Sequence, residues 1–170
     1  MGKEIITNGV ELRLTSGLRD INDKYKYLNS GGCIYVAKWI GEAFLERGIK
    51  VSYLILDNCS VDVANCLRGD FIKYANTESL EDLAERMIEV SHVLPFINNG
   101  LYMDSKGIAK SFKNSKWVHL SEMGYITHET IERWSRDRYY RWNPTFLHNH
   151  GYQLLHIEKD IKDLIKSLDI

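Results

Sequence analysis

The stretch NSGGCIYVAKWIGEAFLERG, residues 29–48, sets the rest of the chain in order. Asn29-Ser30-Gly31-Gly32 breaks the backbone. From there Val36, Ala37, Ile40, Phe44 and Leu45 recur at helical spacing until Gly48 stops them. The spacing predicts a helix over 33–47 with Cys33 at its first position. Two glycines before a helix permit a tight turn and leave the sulfur unshielded. A cysteine placed there feels the positive end of the helix dipole and the free N–H groups. Both stabilise a thiolate, and the N–H groups can donate to an oxyanion. A small buried residue opening a core helix reads the same way, so Cys33 alone does not make a site.

Upstream, Leu18, Ile21, Tyr25 and Leu28 mark a short helix over 16–28, and the first ten residues read as extended or frayed. Downstream, 50–56 is β-branched and aromatic enough for a strand, while 57–78 has no clear period. Ser79 opens a second helix, with Asp82 three residues on and Leu80, Leu83, Ala84, Met87 and Ile88 as its inner face. Residues 91–97 and 101–105 read as two strands joined by Asn98-Asn99-Gly100. Helices follow over 127–140 and 157–168. Nothing in the chain repeats, and no linker divides it. Helices with a mainly antiparallel sheet define an α+β fold, expected as one domain over 1–170.

The hairpin carries a stronger statement. If Asn98-Asn99-Gly100 is a three-residue connection with Gly100 left-handed, Ile97 faces Leu101, and Asp104 falls opposite Leu94. Strand side chains alternate, so His92 shares the face of Leu94 and becomes a diagonal neighbour of Asp104. A two-residue loop at Asn99-Gly100 would put them on opposite faces. Pro95 inside the first strand points to an edge or a bulge. Cys33, His92 and Asp104 then divide the work of acyl transfer. The thiol attacks, the imidazole carries its proton to the leaving group, and the carboxylate fixes the ring.

In its order along the chain, this set resembles the papain-like superfamily. The segments that carry the likeness are NSGGCIYVAKWIGEAFLERG (29–48) and SHVLPFINNGLYMDSKG (91–107). It looks closest to the branch of transglutaminase-like cysteine proteases and arylamine acetyltransferases. The resemblance implies a catalytic helix packed on a small antiparallel sheet, with a helical C-terminal region. It implies a thiol protease, amidase, deamidase, transglutaminase-like enzyme or acyltransferase working through a thioester, with no cofactor and no metal. Its substrate would be a peptide, a protein or a small acyl compound. Where papain-type enzymes carry an oxyanion glutamine, six residues before the cysteine, this chain has Tyr27. Asn29, Ser30 and Gly32 are the remaining candidates for that role.

Composition narrows the field. The 170 residues are 44% hydrophobic and 26% charged, with a net charge of −1, which gives no global reason to bind nucleic acid or an anionic membrane. The start of the chain does not read as a secretory signal, and three cysteines without a tight pairing motif suit a reducing, cytoplasmic setting. Cys59 and Cys66 lack zinc-type spacing and read as packing residues. His148, His150 and His156 give a runner-up, a metal-dependent hydrolase or nuclease, provided His148-Asn149-His150 is a strand that shows both rings on one face. The run IERWSRDRYYRWN (131–143) mixes arginines and aromatics as a half-buried helix or a groove wall does. A binding module with a degenerate triad is the third reading.

Overall fold

The computed structural model describes residues 6–28, 32–97, 100–110, 119–137 and 143–170, with side chains in the last segment from Phe146 onward. Helix α1 runs over Asn8–Tyr25, so the extended or frayed start expected for the first ten residues gives way to helix from Asn8. Thr7 caps it by accepting from the Val10 amide, and Val10, Leu14, Leu18, Ile21 and Tyr25 continue one buried stripe. Helix α2, Cys33–Leu45, buries nine of its thirteen residues. A helix apolar on nearly every side must be enclosed, and α2 is the hub of the molecule.

Strand β1 (Val51–Asp57) leads into α3 (Val61–Tyr74), capped by Ser60. This helix fills the stretch whose period was unreadable. Ala64 and Phe71 are its buried residues, while Val61, Val63 and Ile72 are exposed, so its apolar residues mark no single face. Helix α4 (Leu80–Glu85) starts after Ser79, which accepts from the Asp82 amide as expected. It is shorter than its sequence suggests: Met87, expected inside, is exposed with φ 66°.

Strands β2 (His92–Ile97), β3 (Leu101–Asp104), β4 (Gly107–Ala109) and β5 (Ser121–Ile126) complete a five-stranded antiparallel sheet in the order β4-β3-β2-β1-β5. Ile97 pairs with Leu101 and Phe96 with Tyr102, and Gly100 has φ 77°, the register and turn residue of a three-residue connection. Pro95 is not on an edge, since β2 lies between β1 and β3. Pairing to β1 runs through Pro95 as far as His92, whereas the ladder to β3 ends at Phe96.

Helix α5 (His128–Ser135) is capped by Thr127 and is shorter than the expected 127–140, of which residues 138–140 lie outside the described set. Helix α6 (Asn143–His150), a short 3₁₀ turn at Gly151–Gln153 and α7 (Leu154–Lys166) close the chain. The expected closing helix thus begins earlier and carries Ile157, Ile161 and Ile165 inward. Helices α1, α2 and α7 share one buried cluster with Ile97, Leu101 and Met103. A Cβ at Gly17 of α1 would press into the Leu164 side chain, so glycine lets α1 and α7 approach closely. A second cluster joins α2 to α3, α4 and α5 through Tyr53, Ile55, Val93 and Met123. Leu54, Leu56, Leu94 and Leu120 form a separate small cluster, as strand alternation requires.

Candidate active site

Cys33 is half-buried at the first position of α2. Gly32, its N-cap, has no room for a side chain: a Cβ there would strike the Leu28 carbonyl and come within 2.5 Å of the Phe146 ring. No side chain among the described residues caps the helix at Gly32. Asn29 and Ser30 lie outside the described residues. Tyr27, at the place of the papain-type glutamine, is 73% exposed. Both Lys26 and Tyr27 have positive φ, 55° and 53°, a costly conformation for non-glycine residues that turns the chain sharply after α1.

His92 begins β2 and is 1% exposed. Its Nε2 is 3.1 Å from Asp104 Oδ2. The Cys33 sulfur also hydrogen-bonds this ring. Two groups distant in sequence therefore meet at one imidazole. Burial opposes a charge on the ring, but the hydrogen bonds to Asp104 and Cys33 outweigh it and raise its pKa to about 9. The ring is an imidazolium at neutral pH.

Local sequence explains the aim of each partner. Asp104 ends β3, and its Oδ1 accepts from the Lys106 amide at 2.7 Å, the two-residue reach that fixes aspartates in turns. The ladder between β2 and β3 has ended two residues before Leu94, so the His92–Asp104 bond spans strands that no longer pair. Upstream of His92, the Ser91 amide bonds the Leu56 carbonyl, and Ser91 Oγ accepts from the Asn58 amide at 3.0 Å. Asp57, 3% exposed, takes the Glu89 amide at 3.1 Å, and burial raises its pKa. Asp57 holds the entry to β2. No period marks its neighbourhood in the sequence, and only its place at the end of a strand hints at it.

The other marked residues do not join the site. Cys59 is half-buried, with its pKa raised by burial and by Asp57, and Cys66 is exposed on α3. The strand that the metal alternative needed at 148–150 is helix α6, where those positions point about 200° apart. His150 is buried, whereas His148 and His156 are exposed, and the three are not brought together. Among the described residues, the group with metal-ligand composition is Glu42, His128 and Glu132, whose donor atoms lie within 4.8 Å of one another. Those donors already have partners. Lys38 and Lys162 pair with Glu42, and Tyr53 Oη is 2.6 Å from His128 Nδ1. In the run 131–143, Ile131 and Trp134 of α5 are core residues, and residues 138–142 lie outside the described set.

No protein-family model matches the chain, and neither a curated protein nor a solved structure is significantly similar to it. Among the described residues, no helix is long and apolar enough to cross a membrane.

Proposed function

We propose that this protein is a cysteine-dependent hydrolase or acyltransferase of papain-like layout, with Cys33 as nucleophile, His92 as acid and base, and Asp104 as the group that orients the ring. The observation that carries the reading is the His92 imidazole held between the Asp104 carboxylate and the Cys33 thiol at a helix N-terminus. Structural cysteines at helix starts do not require a fully buried histidine–carboxylate pair, and burying such a pair without use is costly.

The chemistry follows from where the proton sits. With the ring charged, Cys33 Sγ attacks the substrate carbonyl as a thiolate, and the oxyanion that forms meets the opening N–H groups of α2. As the bond from the carbonyl carbon to the leaving group breaks, His92 gives its proton to that group, leaving a thioester on Cys33. Neutral His92 then takes a proton from water or from an acyl acceptor. That nucleophile displaces the sulfur, and the ring is an imidazolium again. A cysteine peptidase, an amidase and an acyltransferase share these steps and differ in the acceptor. The reducing conditions that keep Cys33 a thiol suit a cytoplasmic protein.

Thiol labelling with iodoacetamide near pH 7, read by mass spectrometry residue by residue, tests the assignment. Cys66 is exposed and Cys33 half-buried, so accessibility alone makes Cys66 react first. The proposal expects Cys33 to react first, and Cys59 last because burial holds its thiol protonated. Fastest labelling at Cys66, with a Cys33 rate untouched by His92→Ala, overturns the proposal.

A further inference from the structure

Four helices meet around a cavity of about 590 Å³. It is lined by Tyr35 of α2, Ser135 and Arg136 at the end of α5, Leu147 of α6 and Leu154 of α7. The volume is in the range of small-ligand sites. The cavity is separate from the Cys33 site. Two residues along a helix turn the side chain by about 200°, so Tyr35 points away from the side of α2 that carries Cys33. Cys33, His92 and Asp104 are not among the lining residues.

The walls are of two kinds. Leu147 and Leu154 are half-buried and pack against the cluster that joins α1, α2 and α7. Tyr35 belongs to that cluster, and the Phe146 ring stacks on it with centroids 5.1 Å apart, which braces the tyrosine as a fixed apolar wall. The polar wall comes from α5. Ser135 donates its hydroxyl hydrogen to the Glu132 carbonyl at 2.7 Å and so spends it within the helix. Arg136 has made no such commitment. Arg13, Arg19, Arg47, Arg68, Arg86 and Arg133 each hydrogen-bond a carbonyl or carboxylate of the chain. Among the described arginines Arg136 is the exception: its side chain is exposed, makes no hydrogen bond or ion pair with another described residue, and borders the cavity.

We propose that this cavity is a ligand site of its own, for a small monoanion in which a carboxylate is carried on an aliphatic chain. Arg136 takes the carboxylate on its fork of N–H donors, and Tyr35, Leu147 and Leu154 cover the chain. One guanidinium balances one unit of charge and matches the planar, two-oxygen geometry of a carboxylate, which favours that group over a phosphate dianion. Binding is non-covalent and needs neither Cys33 nor His92, so the site stands or falls apart from the nucleophile assignment.

Hexanoate, hexanamide and acetate separate the two requirements. Hexanamide keeps the chain without the charge, and acetate keeps the charge without the chain. NMR titration of ¹⁵N-labelled protein should show hexanoate moving the amides of Ser135, Leu147 and Leu154. Its affinity should exceed that of either other probe by about tenfold or more, the scale of one charge-assisted hydrogen bond or of a short buried chain. In Arg136→Ala, hexanoate should bind no better than hexanamide. In Cys33→Ala it should bind as it does to the native protein. Equal binding of hexanoate and acetate would mean ion pairing at the surface alone and overturns the site. So does a preference for hexanoate over hexanamide that survives Arg136→Ala. Shifts confined to other parts of the molecule, or none at millimolar hexanoate, overturn it too. Loss of binding in Cys33→Ala would place the ligand at the sulfur and overturn the separate site.

Discussion

Helix α2 has a histidine at each end, and the two differ in almost every physical respect. At its N-terminus His92 is fully buried, with a carboxylate at 3.1 Å and a thiol hydrogen-bonded to its ring. Toward its C-terminus His128 is partly exposed, shares a 2.6 Å hydrogen bond with Tyr53 Oη through Nδ1, and has Glu132 at 3.6 Å along its own helix. Burial raises the Tyr53 pKa far above its usual value, so the phenol stays neutral. Both sites pair imidazole with carboxylate. Only the first adds a thiol and withdraws the ring from water. The second ties α5 and β1 to α2 and reads as a structural stitch, although its residue types suit a site equally well. What separates the two is burial and the third partner.

The largest expected effect is kinetic. Replacing His92 with Ala should slow Cys33 labelling about 100-fold or more, the range in which a positioned acid or base contributes. His128→Ala should leave that rate within a factor of two and lower stability only. Equal slowing by both variants would show that the α2 ends are coupled and that the contrast is false.

Stability should respond in the opposite sense. A Cβ at Gly41 would run into the Tyr53 hydroxyl, so Gly41→Ala should cost about 1–3 kcal/mol of unfolding free energy, as overpacked cores do. Tyr53→Phe should cost about 1 kcal/mol through the lost hydrogen bond to His128. Combined, the two should cost less than their sum, since removing the hydroxyl relieves the clash. Denaturant unfolding of the four proteins measures the difference, and strict additivity would mean that Tyr53 does not sit over Gly41 as described.

The smallest effect is a shift along the pH axis. His92 has a folded-state pKa raised to about 9 from an ordinary 6.5. Its charge therefore stabilises the fold fully below about pH 6.5, and that contribution is lost as pH rises through about 9. In Asp104→Asn, thermal unfolding from pH 6 to 10 should lose this window at a lower pH than in the native protein. Acyl transfer should decline over the same alkaline edge, where the ring no longer holds a proton for the leaving group. Superimposable profiles would remove Asp104 from its assigned role.

The helix that begins at Cys33 and the hairpin were legible because each is a local pattern. Cys33, Ile40 and Phe44 sit in a periodic run bounded by glycines, and Gly100 alone suggests the turn that puts Ile97 against Leu101. Register then places His92 near Asp104 by alternation, without knowledge of the rest of the fold. Helix α3 was illegible for the converse reason: Val61, Val63 and Ile72 face solvent, so its apolar residues mark no buried face. Helix α1 was read short because Gly9 and Gly17 interrupt a stripe whose meaning depends on α7 lying against it.

The sequence by itself determined the α+β class, the helix that begins at Cys33, and the pairing that puts an imidazole beside a carboxylate. These are matters of period, turn and register, set by residues near one another in the chain. Only the tertiary structure decided that Cys33 reaches the His92 ring, that Pro95 lies in an interior strand, and that His150 is buried against Phe146. Such meetings depend on how α2 packs against β2, α5 and α7 together. Many weak contacts between distant segments fix that packing, and no local pattern records their sum.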